Sequence, residues 1–188
     1  MMMDWEELKA KCFQCEKCDL CKTRTNLVFG VGRIDADIMF IGEGPGEQED
    51  MLGEPFVGAA GKLLDDMISI IDLDRTNTYI ANIVKCRPPQ NRDPSPEEQD
   101  ACFSYLENQI HLVQPKIIVC LGRIAAQHFF HPGFRITRNH GTWICKEGVW
   151  ITALYHPSAL LRDMSKRPET FEDLLEIRKK LREVHAEL

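Results

Sequence analysis

"ADIMFIG", residues 36–42, is a short apolar run that stops at a glycine, and it reads as a buried β-strand. Three further stretches read the same way: "TYIANIV" (78–84), "KIIVCLG" (116–122) and the strand carried by "GVWITALYHP" (148–157). The segments around them have helical character. "AAGKLLDDMISII" (59–71) places apolar residues at helical spacing. "SPEEQDACFSYLENQIHLV" (95–113) opens with a capping box of Ser95 and Glu98 and continues as an amphipathic helix. "RIAAQHFF" (123–130) and the closing "ETFEDLLEIRKKLREVHAEL" (169–188) are also helical, and "DWEELKAKC" (4–12) is a short helix capped by Asp4. Strands alternating with helices imply parallel βαβ units with helices on both faces. The expected fold is therefore α/β, a three-layer α/β/α arrangement around a central four-stranded parallel sheet, with residues 1–188 forming one domain. In such sheets ligands bind beyond the carboxyl ends of the strands. That directs attention to "GEGPGEQED" (42–50), "KCRPPQNRDP" (85–94), "GRIAAQ" (122–127) and "YHPSALLR" (155–162).

The bulk composition suits that fold. A chain of 188 residues with 44% apolar content supplies a core without covalent staples. No apolar run reaches the roughly 18 residues of a membrane span, and "MMMDWEELKAKC" lacks the apolar stretch of a secretory signal. A cytoplasmic location is expected, where thiols stay reduced and clustered cysteines mean metal. The net charge of −6 argues against nucleic acid as a partner. The charge is segregated, however: "KCRPPQNR" and "LLRDMSKR" are basic, while "DWEE", "EQED" and "PEEQD" are acidic, so an acidic protein can still present a basic face.

Half of the eight cysteines fall in "CFQCEKCDLC" (12–21), at strict three-residue intervals. The spacing is like that of the bacterial ferredoxin run, in which a single cluster takes some ligands from the run and one from elsewhere. Cys120 lies within an apolar strand and reads as an inert core thiol. Cys145, in "GTWICKEG", has no ligand type near it. Cys86 stands at a strand exit and Cys102 early in the next helix, close enough in sequence for the loop to bring them to one place. A C-x2-C pair with two distant cysteines makes a four-thiolate site, which suits either Zn²⁺ or a [4Fe–4S] cluster.

Five stretches, in order, resemble one family, the type 4 iron–sulfur uracil-DNA glycosylases: "GEGPGEQED", "GEPFVGAAGKLL", "NIVKCRPPQNRDPSPEE", "IIVCLGRIAA" and "HPSALLR". The likeness covers roughly residues 12 to 165. It implies a [4Fe–4S] cluster held by Cys15 and Cys18, in the context "CEKCDL", together with Cys86 and Cys102, leaving Cys12 and Cys21 as extras. The cluster's implied role is structural. It implies hydrolysis of the N-glycosidic bond of deoxyuridine in DNA, single- or double-stranded, by a monomer that forms no membrane contact.

The resemblance also implies a uracil pocket. Asn82 would read the base, because an amide donates to O4 and accepts from N3–H at once, a pattern that cytosine reverses. Phe56 would stack on the flipped base, and Gly42, Glu43 and Gly44 would let backbone approach it. His156 would donate to uracil O2, where negative charge develops as the bond breaks. Relatives outside this family place an aspartate where Gly44 stands, so water activation falls to Glu43, to Glu47 or to neither. No histidine-bearing insert follows the second strand, so turnover is expected, not covalent trapping. On the DNA side, Ser158 and Arg162 would contact phosphate and Leu160 or Leu161 would wedge into the stack. Lys85, Arg87, Arg92, Lys166 and Arg167 join the phosphate candidates because they follow the second and fourth strands. Two other readings compete: a non-catalytic nucleic-acid module built on zinc, and an iron–sulfur redox protein.

Overall fold

The computed structural model describes residues 3–186. Its helices are α1 (Trp5–Phe13), α2 (Leu20–Thr23), α3 (Glu47–Leu52), α4 (Ala59–Ser69), α5 (Pro96–Val113), α6 (Arg123–Phe129), α7 (Ile136–Asn139), α8 (Pro157–Arg162) and α9 (Arg167–Ala186). Its strands are β1 (Val31–Gly32), β2 (Ile38–Gly42), β3 (Tyr79–Asn82), β4 (Ile117–Leu121), β5 (Trp143–Lys146) and β6 (Val149–Leu154). The last two residues of the closing helix expected at 169–188 lie outside the described residues.

The sheet has six strands in the order β1-β3-β2-β4-β6-β5 and is mixed, which corrects the expected four-stranded parallel sheet. β3, β2, β4 and β6 pair in parallel, but β1 runs antiparallel to β3 at one edge and β5 antiparallel to β6 at the other. The reason is local in both cases. β1 is two residues long and ends on Gly32, so it carries no alternation to read. β5 and β6 form a hairpin whose central residues, Glu147 and Gly148, have φ of 51° and 83°. Positive φ at both positions marks a hairpin turn of the twist-matched kind, made here with Glu-Gly in place of the usual Asn-Gly or Asp-Gly.

Side-chain alternation along the strands splits the core into two layers. Ile38, Phe40 and Val119 pack with Leu64 and Ile68 of α4, Leu160 of α8 and Leu174 and Ile177 of α9. Met39, Ile41 and Cys120 face the other way, with Leu8 of α1, Leu106 of α5 and Ala125 of α6. Each fully buried Leu, Ile or Phe contributes about 1.5–3 kcal/mol relative to exposure. The Ser95–Glu98 capping box forms, Ser95 Oγ accepting the Glu98 amide at 3.2 Å, and the Asp4 cap is a capping box as well, its Oδ1 accepting the Glu7 amide at 2.9 Å. Gly42 stands opposite Asn82 and Leu121 opposite Leu154, so the four parallel strands end along one edge of the sheet.

Candidate active site and cysteine cavity

A cleft of about 620 Å³ opens at that edge, lined from the segments following β2, β3, β4 and β6. Asn82, the last residue of β3, lies at its floor and is 2% exposed. Its Oδ1 is, among the described residues, the one buried side-chain polar atom with no hydrogen-bond partner. Buried acceptors are nearly always satisfied, so an orphan of this kind calls for an explanation. Gly42 sits against it: a Cβ there would come within 2.5 Å of Asn82 Oδ1 and 2.6 Å of Phe56 Cζ. Only glycine keeps the space beside the amide clear.

Phe56 adopts φ of 53°, a left-handed conformation that a bulky residue holds only when its surroundings enforce it. Arg75 supplies much of that enforcement. It donates to Pro55 O at 2.9 Å and to Phe56 O, and its Nε is fixed by Asp65 at 2.7 Å. Glu49 Oε1 accepts the amides of Val57 and Gly58 at 3.1 and 3.2 Å. Gly61 of α4 closes the turn from below, where a Cβ would strike Phe56 O at 1.8 Å. The clamped ring lies near-parallel to His156, with centroids 5.6 Å apart and planes at 29°. Neither Arg75 nor Glu49 was singled out by the sequence. Arg75 is 19 residues from its target, and Glu49 sits beside Glu43 and Glu47, which the motif reading favoured.

His156 caps α8: its Nδ1 accepts the Ser158 amide at 3.1 Å and lies 2.7 Å from Ser158 Oγ. With Nδ1 accepting a backbone N–H, the ring's own proton belongs on Nε2. Burial, reinforced by the Arg162 cation and opposed by the Glu49 carboxylate, pushes the imidazolium down to about 4. The ring is thus neutral at pH 7, with one N–H to donate. Gly122, at φ 90°, permits the close approach of the β4 exit, because a Cβ would lie 2.9 Å from His156 Cβ.

Four carboxylates, Glu43, Glu47, Glu49 and Asp93, line the cleft. Glu43 is half-buried, and burial, with the negative Asp93 beside it and Arg123 opposing, pushes its carboxyl up to about 7. Asp93 is itself paired to Arg123 at 2.6 Å. Glu47 is exposed at the first turn of α3. Gly44 also lines the cleft.

The expected DNA contacts separate into three groups. Arg162 and Ser158 line the cleft, and Leu161 is 43% exposed while Leu160 is buried, so Leu161 is the side chain free to wedge. Arg92 also lines the cleft but is forked onto Glu98 at 2.7 and 2.9 Å, while Arg87, which does not line it, bonds the cleft residue Asn91 at 2.7 Å. Lys166 lies 4.0 Å from Asp163, and Arg167 donates to Leu160 O at 3.3 Å. Lys85 is a correction. It is 0% exposed, with its ammonium bound to Gln109 Oε1 at 2.6 Å, and it cannot reach a phosphate. The charged residue in "VKCRPP" read as surface because lysine is rarely buried.

Cys15, Cys18, Cys86 and Cys102 line a second cavity, on the α1–α5 side, with Cys21, Leu20, Leu27, Val84 and Tyr105. Among the described residues no carboxylate or imidazole lines it, so the donor set there is soft sulfur, the chemistry of iron–sulfur or zinc sites. Among the described residues no three Cys, His, Asp or Glu side chains gather tightly enough for a single ion, so the fit rests on donor type. Two sulfurs already accept N–H bonds: Cys86 from Arg24 Nη1 at 3.2 Å and Cys102 from the Lys85 amide at 3.3 Å. Cys12 is fully buried in the core outside the cavity wall, Cys120 is buried in β4, and Cys145 is exposed.

Residues 29–182 match the Uracil DNA glycosylase superfamily. The chain is 46% identical over 186 residues to a type-4 uracil-DNA glycosylase of Archaeoglobus fulgidus, covering 94% of this chain and 92% of that protein. It is 46% identical over 182 residues to the type-4 uracil-DNA glycosylase of Sulfurisphaera tokodaii, covering 92% and 83%. Identity to the corresponding protein of Thermotoga maritima is 46% over 157 residues, covering 81% and 80%.

Proposed function

The chain belongs to the uracil DNA glycosylase superfamily, and from that premise we propose how its cleft divides the work of uracil excision. The protein hydrolyses the bond between uracil N1 and the deoxyribose C1′ in DNA, releasing uracil and leaving an abasic site. The target base must leave the stack to be reached. The observation that carries the assignment of the pocket is the orphaned Asn82 Oδ1 beside Gly42. Uracil N3–H supplies the missing donor, and the Asn82 amide N–H meets O4. Phe56, held in its turn by Arg75 and Glu49, stacks on the base. His156 Nε2–H meets O2, where charge accumulates as the C1′–N1 bond breaks, and a donor already in place there favours the transition state. Water attacks C1′ and its proton passes to Glu43, which the half-buried setting favours over the exposed Glu47. Release of free uracil from an oligonucleotide carrying one deoxyuridine tests the reaction.

The Glu43 role has a pH signature. A base must be ionised, and with its carboxyl raised to about 7 the active form is lost as pH falls through that value. His156 stays neutral down to about 4 and contributes no limb there. The single-turnover rate should therefore fall below about pH 7 in the parent and lose that limb in Glu43→Gln. A limb that survives in Glu43→Gln removes Glu43 as the base.

Cys15, Cys18, Cys86 and Cys102 would hold a [4Fe–4S] cluster, which when bound cross-links the N-terminal segment to the loop after β3. Type-4 naming of the relatives and the all-sulfur lining support this. Cys15→Ser should lower iron content and thermal stability together. Cys12→Ser should leave iron unchanged but lower stability, because Cys12 is fully buried. Full iron loading of Cys15→Ser would point to Cys21, which shares the cavity wall.

DNA is gripped through Arg162 and Ser158, with Leu161 as the wedge, by a single domain that works as a monomer in the cytoplasm. Among the described residues no helix is long and apolar enough to cross a membrane. Arg162 makes no ion pair with another described residue, and so is available to phosphate. Arg162→Ala should flatten the slope of log K against log salt by about 0.9 for duplex DNA, with uracil-containing and undamaged DNA affected alike. An unchanged slope with a collapsed cleavage rate would place Arg162 at the base.

A further inference from the structure

Lys85 is the only Lys or Arg in the buried core among the described residues. Its ammonium has one close acceptor, the neutral Gln109 Oε1 at 2.6 Å. Gln109 is fixed in that orientation, because its amide nitrogen donates to Phe29 O at 2.8 Å and to Tyr79 OH at 3.1 Å. Among the described residues no carboxylate pairs with Lys85; it lines the cysteine cavity together with Cys102, whose sulfur accepts the Lys85 amide at 3.3 Å. A buried charge is ordinarily balanced by an opposite charge. The excision mechanism leaves this one without a purpose. Arg24 poses the same question from the other side of the cavity. It is half-buried, donates to Cys86 Sγ at 3.2 Å and Cys15 O at 3.0 Å, and has no carboxylate partner among the described residues.

We propose that Lys85 and Arg24 are the counter-cations of the cysteine site, two fixed positive charges that balance the dianion formed when four thiolates hold an oxidised [4Fe–4S] core. The inference rests on the cluster reading given above. Net charge and hydrogen bonds to sulfur are among the factors that set the reduction potential of such a centre. A nearby cation stabilises the state carrying the extra electron, so each of these residues raises the potential. The buried Lys85–Gln109 pair is then part of the cluster's electrostatic environment, not a filler of the core.

The test uses the cluster-loaded protein. Iron content and the visible spectrum of the parent come first: a colourless, iron-free parent overturns the cluster reading itself and, with it, this inference. With iron present, the midpoint of the cluster's one-electron couple is measured by voltammetry in the parent, Lys85→Met, Lys85→Arg and Arg24→Gln. The expected result is a more negative midpoint in Lys85→Met and in Arg24→Gln, and one close to the parent's in Lys85→Arg. Iron-loaded Lys85→Met and Arg24→Gln with the parent's midpoint would overturn the inference while leaving the cluster in place. If Lys85→Met fails to retain iron, Lys85→Arg decides for that position. Iron retained there supports a role for the charge, and iron lost there too shows that shape, not charge, matters. Arg24→Gln is judged by its midpoint in either case.

Discussion

His156→Ala should slow single-turnover release of uracil by roughly 10²–10³-fold, the usual cost of removing a donor aimed at a developing oxyanion. Binding to undamaged DNA should hardly change. The size of the effect follows from the state of the ring. Nδ1 is occupied by the Ser158 amide at 3.1 Å, and the ring is held neutral down to about pH 4, so its Nε2–H is a fixed donor at any working pH. The deficit in His156→Ala should accordingly be constant between about pH 5 and 8. A deficit that grows toward acid pH would mean that the imidazolium, not the neutral ring, is the active form. The substitution also removes the cap of α8, which costs about 0.5–2 kcal/mol of stability, so the variant's melting curve should accompany the rate.

Asn82→Asp should be the second large effect, and it is more specific. The carboxylate keeps the shape of the amide but accepts without donating, so uracil O4 loses its partner in a buried setting. The expected cost is about 1–3 kcal/mol, or roughly 5- to 150-fold in rate. Cytosine presents a donor where uracil presents O4, so it should be penalised less. Arg75 and Glu49 lie outside this comparison, because they hold the Phe56 turn and not the edge of the base.

The legible parts of the molecule are those where one short stretch carries its own explanation. β2, β3, β4 and β6 were readable because each is an apolar run closed by turn residues, and the Asp4 cap and the Ser95–Glu98 capping box were readable because a helix start is signalled within a few residues. The edge strands were not. β1 is too short to show alternation, and the β5–β6 hairpin turns on Glu147, which no residue preference favours at positive φ. The same division holds in the site. Asn82, Phe56 and His156 stand in motifs, and the fold brings all three into one cleft. The side chains that hold the Phe56 turn are Arg75 and Glu49, and nothing in the sequence links those residues to it. Lys85 failed for a physical reason: a lysine in a loop motif is ordinarily solvated, and only the tertiary packing of α5 against β3 buries it beside Gln109.

Base choice by Asn82 is tested most directly by single-turnover base release from two oligonucleotides that differ only in one deoxyuridine or deoxycytidine, with the parent and Asn82→Asp at saturating enzyme. The parent should release uracil and no measurable cytosine. Asn82→Asp should release uracil roughly 5- to 150-fold more slowly, with its preference for uracil over cytosine reduced. Uracil released by Asn82→Asp at the parent's rate, with discrimination intact, would contradict the assignment of this cleft as the place where the base is read.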